Sequence, residues 1–178
     1  MSTELHTYIA LLRGINVGGH RKLSMADLRD ALESAGCQAV RTYIQSGNLS
    51  LAHTGSQSDV AHRLQRVLKV TFNIRTDVWV VDRSTWVEII ANNPFPEAAV
   101  EPKTLHVYLP LGPLSQDAID RIQGAASQGE RIAWQPPALY LHAPAGIGRS
   151  RLVQSMDAMA GTPMTGRNWR TMLKLLAL

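Results

Sequence analysis

Two short extended runs meet at Ser46-Gly47 in AVRTYIQSGNLSLAH, and two more meet at Pro136-Pro137 in RIAWQPPALYLHAP. Turn residues between such runs predict β-hairpins, whose strands are antiparallel neighbours. Two tight hairpins argue against a doubly wound parallel sheet, which joins its strands by long crossovers.

The segments around the hairpins supply the other elements. HTYIALLRG (His6 to Gly14) is apolar on both faces, which predicts a central strand. SMADLRDALESAG has a Ser24 cap, apolar Met25, Leu28, Ala31, Leu32 and Ala35 at helical spacing, and Gly36 as a stop. SDVAHRLQRVLKVTF repeats Val60, Leu64, Val67 and Leu68 at helical spacing, and IRTDVWVVD returns to strand. The order is β-α-β-β-α-β.

A helix at RSTWVEIIANN and a Pro-rich stretch, NPFPEAAVEPK, follow; then the order begins again. TLHVYLP is a strand, SQDAIDRIQGAA a helix, the second hairpin comes next, and RSRLVQSMDAMAG is a helix. TPMT is the last short strand and RNWRTMLKLLAL a closing helix. The expected fold is α+β: two tandem ferredoxin-like (βαββαβ) units with antiparallel or mixed sheets and an extra C-terminal helix. Their expected limits are 1–82 and 103–178, the latter including the last helix, with 83–102 as the connection. One mixed sheet merging both units is the alternative.

The 178 residues are 45% apolar and 18% charged, a composition that can bury a substantial core. Cys37 is the one cysteine, so no internal disulfide is expected, and the N-terminus lacks the pattern of a signal peptide. No uncharged apolar run approaches the ~18 residues that cross a bilayer. A soluble cytoplasmic protein that does not engage membranes is therefore expected.

Net charge is +4, and its location is informative. Residues 1–140 hold equal numbers of basic and acidic side chains, whereas 141–178 hold Arg149, Arg151, Arg167, Arg170 and Lys174 against Asp157 alone. Such asymmetry suits an anionic partner, though a basic helix can also be a solvated face.

The topology fixes which loops meet. The first and second strands of a split β-α-β unit run parallel, so the loop Gly14–Lys22 should lie beside Gln45–Asn48. In the second unit PAGIGRSR and TGRNWR should share the other edge. LLRGINVGGHRK has the Gly14 and Gly19 spacing of a P-loop, but His20 and Arg21 stand where lysine and a hydroxyl are needed, and GINVGG does not satisfy G-x-G-x-x-G. A looser anion site survives: Gly18 and Gly19 open the backbone, His20, Arg21 and Lys22 supply charge, and Asn16, Gln45, Ser46 and Asn48 can add hydrogen bonds. Alternatively, the glycines make a sharp turn while Ser46 and Asn48 satisfy hairpin backbone groups. At the other edge Arg149, Arg167, Asn168 and Arg170 are candidates, Arg167 and Asn168 being placed at the start of the last helix; Arg suits bidentate anion binding, and Asn168 suits tying the helix to the sheet.

LLRGINVGG, RTYIQSGN, GIGRSRL and TGRNWRTMLKL, spread in order from Tyr8 to Leu176, closely resemble the sequence blocks of a bacterial family known as domain of unknown function 1697. The resemblance implies a compact α+β protein built from ferredoxin-like pieces. It implies no activity and no catalytic residues.

Other chemistries find little support. The strand NLSLAH lacks the aromatics of an RNA-recognition sheet, although contact with a nucleic-acid backbone remains open. The six histidines show no zinc spacing, and neither metal nor cofactor is expected. The leading expectation is a non-catalytic module binding a nucleotide, a phosphorylated metabolite or a nucleic-acid backbone in a cleft between the units. An enzyme acting on a phosphorylated small molecule and a protein-interaction scaffold are the alternatives.

Overall fold

The computed structural model describes residues 4–19, 21–127 and 129–178. The first six elements are β1 (His6–Leu12), α1 (Met25–Ser34), β2 (Gln38–Tyr43), β3 (Asn48–His53), α2 (Gln57–Phe72) and β4 (Val78–Asp82). After α3 (Arg83–Ala91) and a 3-10 turn (Pro96–Val100) come β5 (Leu105–Pro110), α4 (Gln116–Gly124), β6 (Arg131–Gln135), β7 (Ala138–His142), α5 (Arg151–Ala160), β8 (Met164–Asn168) and α6 (Trp169–Leu176). Two separate four-stranded sheets form, ordered β2-β3-β1-β4 and β6-β7-β5-β8, so the strands do not merge into one. Every strand pair is antiparallel.

Local chemistry sets the helix starts. The Ser24 side chain accepts from the Asp27 N–H at the head of α1. Ser56 and Asp59 form a reciprocal capping box on α2, and Ser115 and Ser150 cap α4 and α5. Each helix then turns an apolar stripe inward: Met25, Leu28 and Leu32 from α1, and Val60, Leu64, Val67 and Leu68 from α2. In the first unit these pack with Tyr8, Ala10 and Leu12 of β1 and Leu49 and Leu51 of β3. Ile9 and Leu11, on the opposite face of β1, are buried as well. In the second unit Tyr108, Leu139 and Leu141 pack with Ile122 of α4 and Leu152, Met156 and Ala160 of α5.

The chain divides into two compact units, Met1–Val87 with Lys174–Leu178, and Glu88–Leu173. The division falls inside α3, and the last five residues fold with the first unit instead of the second. Arg83 Nη2 donates to the Leu176 carbonyl at 2.9 Å and Arg41 Nη1 to the Leu178 carbonyl at 2.5 Å, while Leu175 is buried. The final strand also differs from the expected TPMT. It runs from Met164 to Asn168 because β5 offers partners that far, Val107 opposite Arg167 and His106 opposite Asn168. Pairing with a neighbouring strand here overrides weak local preference.

The β2–β3 turn tests the need for glycine. Gly47 has φ +76°, and a Cβ there would lie 2.6 Å from Leu12 Cβ. Gly47→Ala should therefore cost about 2–4 kcal/mol in chemical denaturation, through strain and overpacking together. A loss below about 0.5 kcal/mol would contradict this packing.

His106 on β5 is buried, and its Nδ1 has no hydrogen-bond partner among the described residues. Burial pushes its pKa below the ordinary histidine value, against a weaker opposing effect from the Thr104 backbone. The unfolded chain therefore takes up the proton first as pH falls. The neutral imidazole's contribution is complete above the unfolded value of about 6.5 and is lost as pH drops through the lower folded value. Thermal unfolding should show stability declining from pH 7.5 to 5, with a shallower decline in His106→Leu; equal slopes would contradict the assignment.

Candidate functional site

Antiparallel register gives the first unit's sheet two distinct ends. Leu11 lies opposite Asn48 at one end, and His6 opposite His53 at the other. The first end gathers the loop after β1 and the β2–β3 turn. The second holds the turn from β3 into α2.

The first end contains the loop pair anticipated from topology. Asn16 Nδ2 donates to the Gln45 carbonyl at 2.6 Å and to the Leu23 carbonyl at 2.9 Å, and Asn16 Oδ1 accepts from the Leu23 N–H at 2.8 Å. Leu12 N–H donates to the Gly47 carbonyl at 2.8 Å. Asn48 is fully buried, its Nδ2 donating to the Tyr43 carbonyl at 3.1 Å and to Ser46 Oγ at 2.9 Å. Asn16 and Asn48 thus fasten backbone to backbone, and Ser46 accepts from the Asn48 amide. Asn16, Gly18, Gly19 and Arg21 all have positive φ, so this loop coils tightly on itself. Arg21, Lys22 and Gln45 are exposed, Arg21 Nη1 reaching Thr76 Oγ1 at 3.4 Å. His20 lies outside the described residues.

In the second unit, Arg149 and Arg170 are exposed. Arg167 does not begin the last helix: it lies on β8, where its Nη1 donates to Thr165 Oγ1 at 3.0 Å and to the Gly166 carbonyl at 2.8 Å. Burial pushes the Arg167 pKa down to about 10, which leaves it charged at neutral pH. Asn168, likewise the end of β8, accepts the Thr171 N–H on its Oδ1 at 2.9 Å and so caps α6.

At the second end of the first unit's sheet lies a cleft of about 700 Å³, lined by His53, Ser56, Asp59, His62, Arg63 and Arg66 among others. The turn from β3 and the first three turns of α2 build it. Asp59 Oδ2 accepts the Ser56 N–H at 2.8 Å and the Ser56 hydroxyl at 2.7 Å, and these bonds hold its carboxyl below the usual range. His53 Nδ1 accepts the Gly55 N–H at 2.8 Å. Burial first, and the Arg63 charge second, keep the His53 pKa below the ordinary value, so the ring is neutral at pH 7. A Cβ on Gly55 would stand 2.9 Å from two atoms of that ring, so a side chain there would push the imidazole off the turn.

On α2, His62 and Arg66 are four residues apart and share a face. Arg63 donates through Nη1 to the Ala35 carbonyl, while its buried Nε has no hydrogen-bond partner among the described residues. The cleft therefore presents two guanidinium groups and two imidazoles around one carboxylate already engaged in the helix cap. Guanidinium and imidazole groups bind phosphate and carboxylate through charge-assisted hydrogen bonds. Among the described residues, no group of three or more His, Cys, Asp or Glu could hold a metal ion. Reading α2 by its apolar repeat alone misses this cleft; its signals in the sequence are the Ser56-x-x-Asp59 capping box and the basic His62, Arg63 and Arg66 beyond it.

The fastening role of Asn16 is directly measurable. Asn16→Ala removes one acceptor and two donor contacts at once and should cost about 2–4 kcal/mol, with faster amide exchange at Leu23. Unchanged exchange at Leu23 would contradict that role.

The model of the family described as protein of unknown function DUF1697 matches residues 5–140. The structure of the conserved bacterial protein SP0830 from Streptococcus pneumoniae superposes with a TM-score of 0.80 at 20% identity, covering 98% of each chain, which shows a shared fold. An unknown protein from Galdieria sulphuraria, at 12% identity over 93% of this chain and 99% of that one, has a TM-score of 0.28. No curated protein matches. With most of its length covered by the family model, the chain belongs to the DUF1697 family of proteins of unknown function.

Proposed function

We propose that this protein is a non-catalytic module that binds a small anion, a phosphorylated metabolite or nucleotide, and that the α2 cleft is its principal site. The two sheet orders also support reading each unit as ferredoxin-like. The observation that carries the function is the make-up of the cleft: the Arg63 and Arg66 guanidinium groups beside the His53 and His62 rings, while Asp59 is taken up by Ser56. The site lies wholly within the first unit, away from the loop pair; Gly18, Gly19, Arg21, Lys22 and Gln45 form a weaker candidate at the opposite end.

Binding without chemistry fits the polar contacts. The Ser56 hydroxyl donates to Asp59, and the His53 Nδ1 lone pair is engaged by a backbone amide. Neither arrangement sets serine against histidine as nucleophile and base.

A bound phosphate offsets the Arg63 charge felt by His53 and so favours its protonated form. Titration of the full-length protein with inorganic phosphate at low salt should give saturable binding and an upward shift of the His53 pKa, followed by NMR of the ring protons. Arg66→Gln should weaken binding about tenfold, the loss of one charge-assisted hydrogen bond. An unmoved His53 and undiminished binding in Arg66→Gln would reject the site, and steady turnover of a phosphate ester would replace binding with catalysis.

A further inference from the structure

A second, smaller concavity of about 300 Å³ runs along α2 from the cleft. It shares Arg63 and Arg66 with the cleft, but its other walls are Ala35, Val67, Val70 and Thr71. Val70, in the last turn of α2, is 74% exposed. Positions 63, 66, 67 and 70 follow the i, i+3, i+4, i+7 pattern of one helical face. One continuous stripe therefore passes from two guanidinium groups to the exposed Val70, with Val67 turned into the core beneath it, and the rise from Arg66 to Val70 is about 6 Å. That is the span of a short hydrocarbon chain.

We infer that the ligand of the α2 cleft is an amphiphilic anion: a single phosphate or carboxylate head held at Arg63 and Arg66, carrying an apolar group that lies over the exposed Val70. The inference rests on the anion-binding reading and adds the chemical class of the ligand. Charge is complementary at one end of the stripe and apolar surface is continuous with it at the other. A bare inorganic anion leaves Val70 in water. A short alkyl group attached to the head covers it, and each methylene removed from water tightens binding, by up to about fourfold where burial is complete. In an open concavity roughly half of that free energy is available, so three methylenes give about a tenfold gain.

Calorimetric titration of the full-length protein with inorganic phosphate, methyl phosphate and butyl phosphate, and with acetate and pentanoate, tests this. Butyl phosphate should bind about tenfold more tightly than methyl phosphate. A parallel gain from acetate to pentanoate assigns a head of either kind, whereas a gain restricted to the phosphate pair assigns a phosphate ester. Val70→Asn should bring the butyl-to-methyl ratio close to one and Val70→Leu should raise it, two exposed-site changes of opposite sign. Phosphate binding with no chain-length gain, or a gain indifferent to both Val70 variants, would overturn the amphiphile while leaving the anion site standing. Failure of every probe to bind would overturn both.

Discussion

The double antiparallel pairing of β1 is the constraint on which the first unit depends. Hydrogen-bonded to β3 along one edge and to β4 along the other, this strand is buried from Tyr8 to Leu12. A strand buried on both faces has no room for polar chemistry, because an unpaired polar group there costs about 1–3 kcal/mol. Polar function is thereby displaced to the two ends of the sheet. Register then decides what each end contains, since a slip of one residue would send Tyr8, Ala10 and Leu12 to the wrong face.

The two ends use their polar residues differently. Where Leu11 meets Asn48, short amides close backbone gaps: Asn16 ties two loops separated by many residues, and Asn48 holds the hairpin from inside. Their hydrogen-bonding capacity goes into the fold. Where β3 enters α2, the capping box engages Ser56 and Asp59, and the longer cationic side chains beyond it face the cleft. An engaged carboxylate beside Arg63 and Arg66 leaves the local charge positive, the condition an anion requires.

Much of this architecture was legible in the sequence, for identifiable reasons. Ser46-Gly47 and Pro136-Pro137 marked both hairpins, Ser24 marked the start of α1, and the split topology placed Gly14–Lys22 beside Gln45–Asn48, where the Asn16 to Gln45 bond is found. Features decided by distant partners were not legible. The strand β8 continues through Arg167 and Asn168 because β5 pairs with them, not because TGRN favours strand. The chain's last residues join the first unit through Arg41 and Arg83, which sequence spacing does not reveal. The α2 cleft was missed because it combines a turn with the polar face of a helix, and no single motif spans both. No helix among the described residues is long and apolar enough to cross a membrane, in line with the hydropathy of the sequence.

The most direct measurement is a residue-resolved map of phosphate contact, obtained by amide chemical-shift titration of the full-length protein with inorganic phosphate at low salt. A site at the head of α2 gives saturable shifts concentrated between His53 and Arg66. Shifts centred instead on Gly18 to Lys22 and Gln45, or on Arg149 and Arg170, or absent throughout, would contradict it.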